Sequence, residues 1–438
     1  DSGYQYDSLD RLILENTAGV SGEYTYDLAG NRLSKTADGM TVNYTLGTGN
    51  RLASWSVAGV SPVGRLDVAG HANEPIGTNL LYGELYVSNT VGSTMSVVQG
   101  SNFWAQDVQI GAGTQQIVVA VGDAAGNVGR ATNTIYMSVV TNASYLYNAA
   151  GCVTNIHYIG NEYTNNIGFA WDGLYRLTEV KANGATAERN GYDVFGRRVW
   201  TWNGSETNWF IYSGAQIIAD VNATGGLIRT YVWGPGIDNL LAMTVYTNIG
   251  GTTSVSSVYY PIKDHLGTVH ALVDSSSSIV ESYRYDAWGR VLAVYDTFNL
   301  PLSTLHSPVG NRYLWQGREY SWNIGIYYFR ARWYDPVTGR WLSNDPIGIS
   351  GGLNQYIFCA NNPINAKDSW GLCKDGSSGG GKNIYISLIG ASVYCVGAVG
   401  VDVGVVKDTK GNLGLKITCG LGTGFGVGVK SSAPSLLV

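Results

Sequence analysis

The chain has 438 residues, enough for about three domains of roughly 150 residues each and for a large core. Hydrophobic residues make up 45% of it and charged ones 13%, with 30 Tyr, 13 Trp and 8 Phe, which excludes a disordered chain. Its 59 glycines follow no three-residue period, which excludes collagen, and a net charge of −5 with 27 Lys and Arg leaves no basic field for nucleic-acid phosphates.

Residues 1–52 repeat themselves. An aromatic is followed by Asp or a small polar residue, two spacers, a Gly or polar residue, then Arg and an aliphatic. The copies run from Tyr6-Asp7 to Arg11-Leu12, then Tyr26-Asp27 with Gly30-Asn31-Arg32-Leu33, then a degenerate copy at Tyr44 with Gly49-Asn50-Arg51-Leu52. Each reads as a hairpin in which strand residues such as Tyr24, Leu33 and Val42 flank a turn. Asp27 accepts backbone N–H groups there and Gly30 takes a positive φ. The carboxylates of these pairs are therefore structural. One hairpin is too small to stand alone, so the recurring Tyr and Arg should form ladders between neighbours, ring on ring and guanidinium on ring.

Residues 53–141 break the period. Apolar or alternating segments at 83–87, 115–121 and 132–139, separated by glycine-rich turns, predict an inserted immunoglobulin-like β-sandwich. Loops of such a module bind glycan or protein. Phe103 and Trp104 are candidates for that contact, weighed against the plainer role of core aromatics. The repeats return over 142–258, at Tyr147-Asn148, Trp171-Asp172 and Tyr192-Asp193.

Residues 259–372 hold many short motifs in a fixed order. They include Lys263-Asp264-His265-Leu266-Gly267, Tyr285-Asp286-Ala287-Trp288-Gly289, Gln316-Gly317-Arg318-Glu319 and an aromatic run ending Tyr334-Asp335-Pro336. Asp345-Pro346-Ile347-Gly348, Asn361-Asn362-Pro363 and Asp368-Ser369-Trp370-Gly371-Leu372 close the segment. With these motifs the chain resembles the YD-repeat or RHS-repeat proteins of bacterial toxins and cell-surface machines, relatives of the teneurins, and 259–372 resembles their RHS-repeat-associated core domain.

That resemblance implies an all-β fold in which YD-repeat hairpins spiral into a hollow β-shell, with the inserted sandwich and a glycine-rich β tail. It implies a shell that encloses a C-terminal cargo, and a core that acts as an intramolecular aspartyl protease. Motif by motif, the catalytic aspartates fall on Asp345 and Asp368, the supporting arginine on Arg332 and the scissile bond between Leu372 and Cys373. Ser369 stands where the family has proline. Chemically, two carboxylates at hydrogen-bonding distance share one proton, so one can activate water while the other protonates. The plain alternative for Asp345 is a turn aspartate before Pro346. Asp335 is a rival carboxylate, and Cys373 as nucleophile is a lesser alternative with no His beside it.

No metal or cofactor is expected. His265 and His270, five apart on a strand, face opposite ways, and the five cysteines form no C-x-x-C pair. They read as packed thiols, with a Cys395 to Cys419 bridge conceivable outside the cell.

After Leu372 the composition changes. A Gly/Ser linker spans 376–381, and the tail 373–438 occupies the family's variable cargo position. Alternating segments at 401–405 and 413–417 around a turn at 407–412 predict hairpins. The uncharged run 383–401, close to the ~20 residues of a membrane helix, supplies the other reading. No effector signature is legible in the tail. The expected partners are the chain's own tail as cargo, secretion machinery, an immunity protein, and a glycan or surface protein. The resemblance places the protein in the secreted or cell-surface class. The competing function is an adhesin or scaffold that cuts nothing.

Overall fold

The computed structural model describes residues 3–372 apart from short loops, the longest at 72–79 and 124–127, together with strands between 382 and 420. The chain divides into two compact units, 1–191 with 198–375, and 192–197 with 376–438.

Among the described residues there is no α-helix, only four short 3-10 turns. A twenty-stranded antiparallel sheet carries the repeats, each strand pairing with its successor in the chain. Leu52–Gly59 pairs with Val140–Tyr147, Trp55 opposite Ala143, so the sheet runs on across the insertion. The boundaries 53 and 141 thus cut through repeat strands. Ala143 and Tyr145 are buried on the period of two that a half-covered strand requires, and Leu52 and Trp55 are buried on the strand beside them. Between them lie two smaller antiparallel sheets. One holds Val63–His71, Val97–Gln99 and Asn102–Gly111, the other Leu80–Val87, Thr90–Thr94, Gly113–Asp123 and Val128–Met137. Phe103 and Trp104 fall on the strand opposite Val63–His71, and their side chains lie outside the described residues.

The repeat turns share one geometry. Asp7 Oδ1 accepts the N–H groups of Leu9 and Arg11, both at 2.9 Å, and Asp7 Oδ2 meets Arg11 Nε at 2.6 Å. The residue three after the Asp takes a left-handed φ, +58° at Asp10 and +80° at Gly30. Asp172 with Arg176 and Asp193 with Arg197 repeat the pattern. So do Asp264, Asp274 and Asn222, which the aromatic-led motif does not mark. Asp264 places His265 in a turn and only His270 on the following strand, Val269–Val273. The two histidines are therefore not one strand's residues, as their spacing suggests.

The aromatic before each turn reaches the neighbouring hairpin. Tyr26 Oη donates to the Leu12 carbonyl at 2.6 Å, Trp171 Nε1 to Val153 at 2.6 Å and Tyr285 Oη to Val269 at 2.8 Å. Arg11 lies over Tyr26 at 5.0 Å, Arg32 over Tyr44 at 5.8 Å and Arg51 over Tyr147 at 5.6 Å, the expected ladder.

A small sheet of Glu319–Ser321, Ile326–Phe329, Arg332–Asp335 and Arg340–Trp341 forms the core segment. Phe329, Tyr334, Trp341 and Phe358 pack edge to face and tilted around Trp315, which stacks on Tyr334 at 5.5 Å. Several buried charges are paired. Arg312 binds Asp220 and Glu319, and Arg198 joins Glu319 at 2.8 Å. Cys152 and Cys359 are buried and form no disulfide.

In the second unit, Lys382–Leu388 pairs with Ala391–Ala398, and Gly400–Lys407 with Leu413–Gly420. The hairpin reading of the tail holds, and no helix among the described residues is long and apolar enough to cross a membrane. The linker 376–381, the turn residues 408–412 and the side chains of Cys395 and Cys419 lie outside the described residues.

Candidate functional site

Asp345 and Asp368 both sit at the head of a repeat-type turn. Asp345 Oδ1 accepts the N–H of Ile347 at 3.0 Å, and Gly348, three residues on, has φ +62°. Asp368 Oδ1 accepts the N–H groups of Trp370, Gly371 and Leu372 at 3.2, 2.8 and 3.1 Å, with Gly371 at φ +70°. In Asp7, Asp172 and Asp193 the second carboxylate oxygen binds an arginine four residues on. Here that position is Ile349 or Leu372, so Oδ2 of each aspartate is left for a partner from elsewhere.

Arg332 is that partner. Its Nη2 lies 2.9 Å from Asp345 Oδ2 and 3.6 Å from Asp368 Oδ2, and no side chain of the three is more than 4% exposed. The structure brings together the three residues singled out in the sequence. Arg332 Nε also donates to the Gly371 carbonyl and Nη1 to that of Gln355 at 3.0 Å, and the guanidinium lies 4.2 Å from the Trp341 ring centre. One planar cation thus grips two carboxylates and the backbone of the predicted junction, which only a guanidinium fork can do. Burial raises the Asp345 carboxyl above its ordinary range, against the downward pull of Arg332.

The turn ending at Leu372 is held from the tight hairpin between Phe329 and Arg332. Ala331 N–H donates to the Trp370 carbonyl at 3.1 Å, and Arg330 donates to the Ser369 carbonyl and stacks on Trp370 at 4.9 Å. Arg330 and Arg318 in turn bind Asp238. Burial alone would raise that carboxyl, but the two cations hold it below the usual range. Ser369 is buried in this packing. The Leu372 carbonyl oxygen and Asp345 Oδ2 both border Gly351.

Asp335 stands apart from the pair. Its Oδ2 accepts Thr338 Oγ1 at 2.6 Å and its Oδ1 the Val337 N–H at 2.9 Å, so it closes its own turn, and burial raises its carboxyl. Cys373 lies outside the described residues. Sequence reasoning gave no role to Arg330, Asp238 or Gly351. The first two are paired across 92 positions, which no local motif can show. Two carboxyls, one of raised proton affinity, around a cation and next to a backbone carbonyl can perform acid–base hydrolysis of that peptide.

No protein-family model matches the chain. The toxin protein Tse5 of Pseudomonas aeruginosa is 25% identical over 405 residues, 84% of this chain and 27% of its own length. The double-stranded DNA deaminase toxin A of Burkholderia cenocepacia is 28% identical over 226 residues, 47% of this chain and 15% of its own. The tRNA3(Ser)-specific nuclease WapA of Bacillus spizizenii is 33% identical over 210 residues, 45% and 8% of the two chains. The chain thus spans less than a third of the length of each of these relatives. Among solved structures, TcdB2-TccC3 without its hypervariable C-terminal region aligns with 85% of this chain and 18% of its own, at 18% identity and a TM-score of 0.36.

Proposed function

We propose, from the premise that this chain is an RHS-repeat, toxin-like protein, that it encloses and delivers a C-terminal effector and frees it by cutting its own backbone after Leu372. The observation that carries the cleavage reading is the single Arg332 nitrogen that meets both Asp345 and Asp368 beside the Leu372 turn. A proton of water passes to the ionised carboxylate while the water oxygen bonds to the Leu372 carbonyl carbon. The bond to the Cys373 nitrogen then breaks as the other carboxyl gives up its proton to that nitrogen. Leu372 ends as a carboxylic acid and Cys373 carries a new amino terminus. Because catalyst and substrate share one chain, high effective concentration replaces a binding pocket, and one turnover suffices.

The likeness to toxins supports an effector role for the tail 373–438 and action outside the producing cell, and that role would call for export machinery and a neutralising immunity protein as partners. The division into repeats, an inserted sandwich, a core 259–372 and a tail belongs to the same proposal, with the repeat strands Leu52–Gly59 and Val140–Tyr147 bounding the insert.

The test is direct. Purified chain is incubated and followed by gel and intact mass, and a fragment beginning at Cys373 is expected. Asp345→Asn and Asp368→Asn should each slow its appearance by at least about a hundredfold while the fold, read by circular dichroism, is kept. A wild-type chain that stays whole would leave the non-cutting scaffold as the reading, and an Asn variant that splits at the wild-type rate would take the cleavage chemistry away from that carboxyl.

A further inference from the structure

We infer that Gly351 is a positioning residue for the self-cleavage proposed above, on which this inference rests: its bare α-carbon lets the Asp345 carboxylate and the Leu372 carbonyl close on the same point. Gly351 ends the 3-10 turn Gly348–Gly351, which follows directly from the Asp345 turn. A methyl group built on its α-carbon would lie 2.4 Å from Asp345 Oδ2, 3.0 Å from Asp345 Cγ and 3.1 Å from the Leu372 carbonyl oxygen. All three are closer than carbon can normally approach.

Backbone conformation does not explain the glycine. Gly348 and Gly352, on either side, have φ of +62° and +130°, whereas Gly351 lies outside that left-handed range, so an alanine could adopt its φ. What a side chain meets is the site itself. Neither neighbour can step aside cheaply. Asp345 is pinned through Oδ1 by the Ile347 N–H and through Oδ2 by Arg332. The Leu372 backbone is pinned through its N–H on Asp368 and through the preceding Gly371 carbonyl on Arg332. Two groups that must react are drawn together by the absence of one carbon. A methyl there must push Asp345 off Arg332 or push the junction carbonyl off the pair.

Gly351→Ala in the full chain tests this. Self-cleavage should slow by about a hundredfold, the scale of an ångström-sized misplacement, with the circular dichroism spectrum kept and the melting temperature lowered by the strained Asp345–Arg332 contact. The fall in rate with rising pH should also move to higher pH, because a carboxylate displaced from Arg332 holds its proton more tightly. A purely structural role would leave that profile in place. An alanine chain that splits with the wild-type rate and pH profile overturns the inference, whereas a wild-type chain that never splits overturns the cleavage reading instead. Should the alanine chain fail to fold, Gly351→Ala combined with Asp345→Ala decides. Recovery of folding supports the contact, because the carboxylate that the methyl strikes is gone, and failure to recover overturns it.

Discussion

Arg332 places one positive charge between two carboxyls that water barely reaches, and that balance sets both the stability and the chemistry of the pair. With one shared proton the three side chains sum to zero charge; with none they carry a net negative charge in a buried place. Arg332→Gln removes the cation, so the pair must hold its remaining proton to higher pH. It also leaves the carbonyls of Gly371 and Gln355 with a shorter, neutral donor. Splitting should slow by at least about a hundredfold, and Arg332→Lys should recover only part, since a lysine brings charge but not the three-way fork. Rates measured across pH carry the sign. Wild-type cleavage should decline as pH rises through the raised Asp345 range, where the proton donor is lost, and in Arg332→Gln that decline should come at higher pH. Asp345 holds its turn through Oδ1 and meets Arg332 through Oδ2, so the turn reading leaves the second oxygen for the chemistry proposed above. The residue type was legible; the partition between its oxygens needed Arg332 in space.

Turns and strands obey a looser rule than the motif that reveals them. The turn needs an acceptor side chain at its head and a left-handed residue three places on, as Gly267, Ser277 and Gly225 provide after Asp264, Asp274 and Asn222. Those copies lack the preceding aromatic and the following arginine, having Lys263, Val273 and Val221 before and Thr268, Ser278 and Gly226 after, so they do not read as repeats. The aromatic serves the ladder instead. Tyr285→Phe removes the donor to the Val269 carbonyl and should cost about 1 kcal/mol in urea unfolding, with the strand order unchanged. A second joint between elements depends on pH. Glu15, on Leu12–Thr17, accepts the Ala287 N–H at 2.7 Å and Tyr24 Oη at 2.9 Å, tying the first hairpin to the Asp286 turn. Burial, and then the nearby Asp286, push its carboxyl up to about 7 against the pull of Lys35. A carboxyl whose folded value is raised stabilises the fold fully below its ordinary range near 4.5, and that contribution fades as pH rises through about 7. Unfolding midpoints taken from pH 5 to 8.5 should therefore fall for the wild type by an amount worth about 1–3 kcal/mol, and Glu15→Gln should flatten that slope.

For the whole chain the decisive pairing is Leu52–Gly59 with Val140–Tyr147. Composition marks the insertion clearly, because its segments lack the Tyr-Asp period, but its edges are hidden: the repeat motif stops at Leu52 and resumes at Tyr147, whereas the flanking strands run on to Gly59 and begin at Val140. Since Ser56 faces Asn142 and the pair is antiparallel, the two ends that enter the insertion lie side by side, as the ends of any hairpin do. A module joined through adjacent ends can be replaced by a turn. Every group that positions the junction lies between 238 and 372: the three site residues, Arg330, Asp238, Gly351 and Gln355. Replacing 60–139 by a two-residue Asn-Gly turn should therefore leave a chain that folds and splits after Leu372 at a rate within about threefold of the intact protein. The allowance matches a stability change of a few tenths of a kcal/mol at a remote site. Gel and mass analysis of the shortened chain checks it. A soluble, folded product that no longer splits would mean that the insertion helps to shape the junction, and the repeat sheet could not then be treated as independent of what is threaded into it.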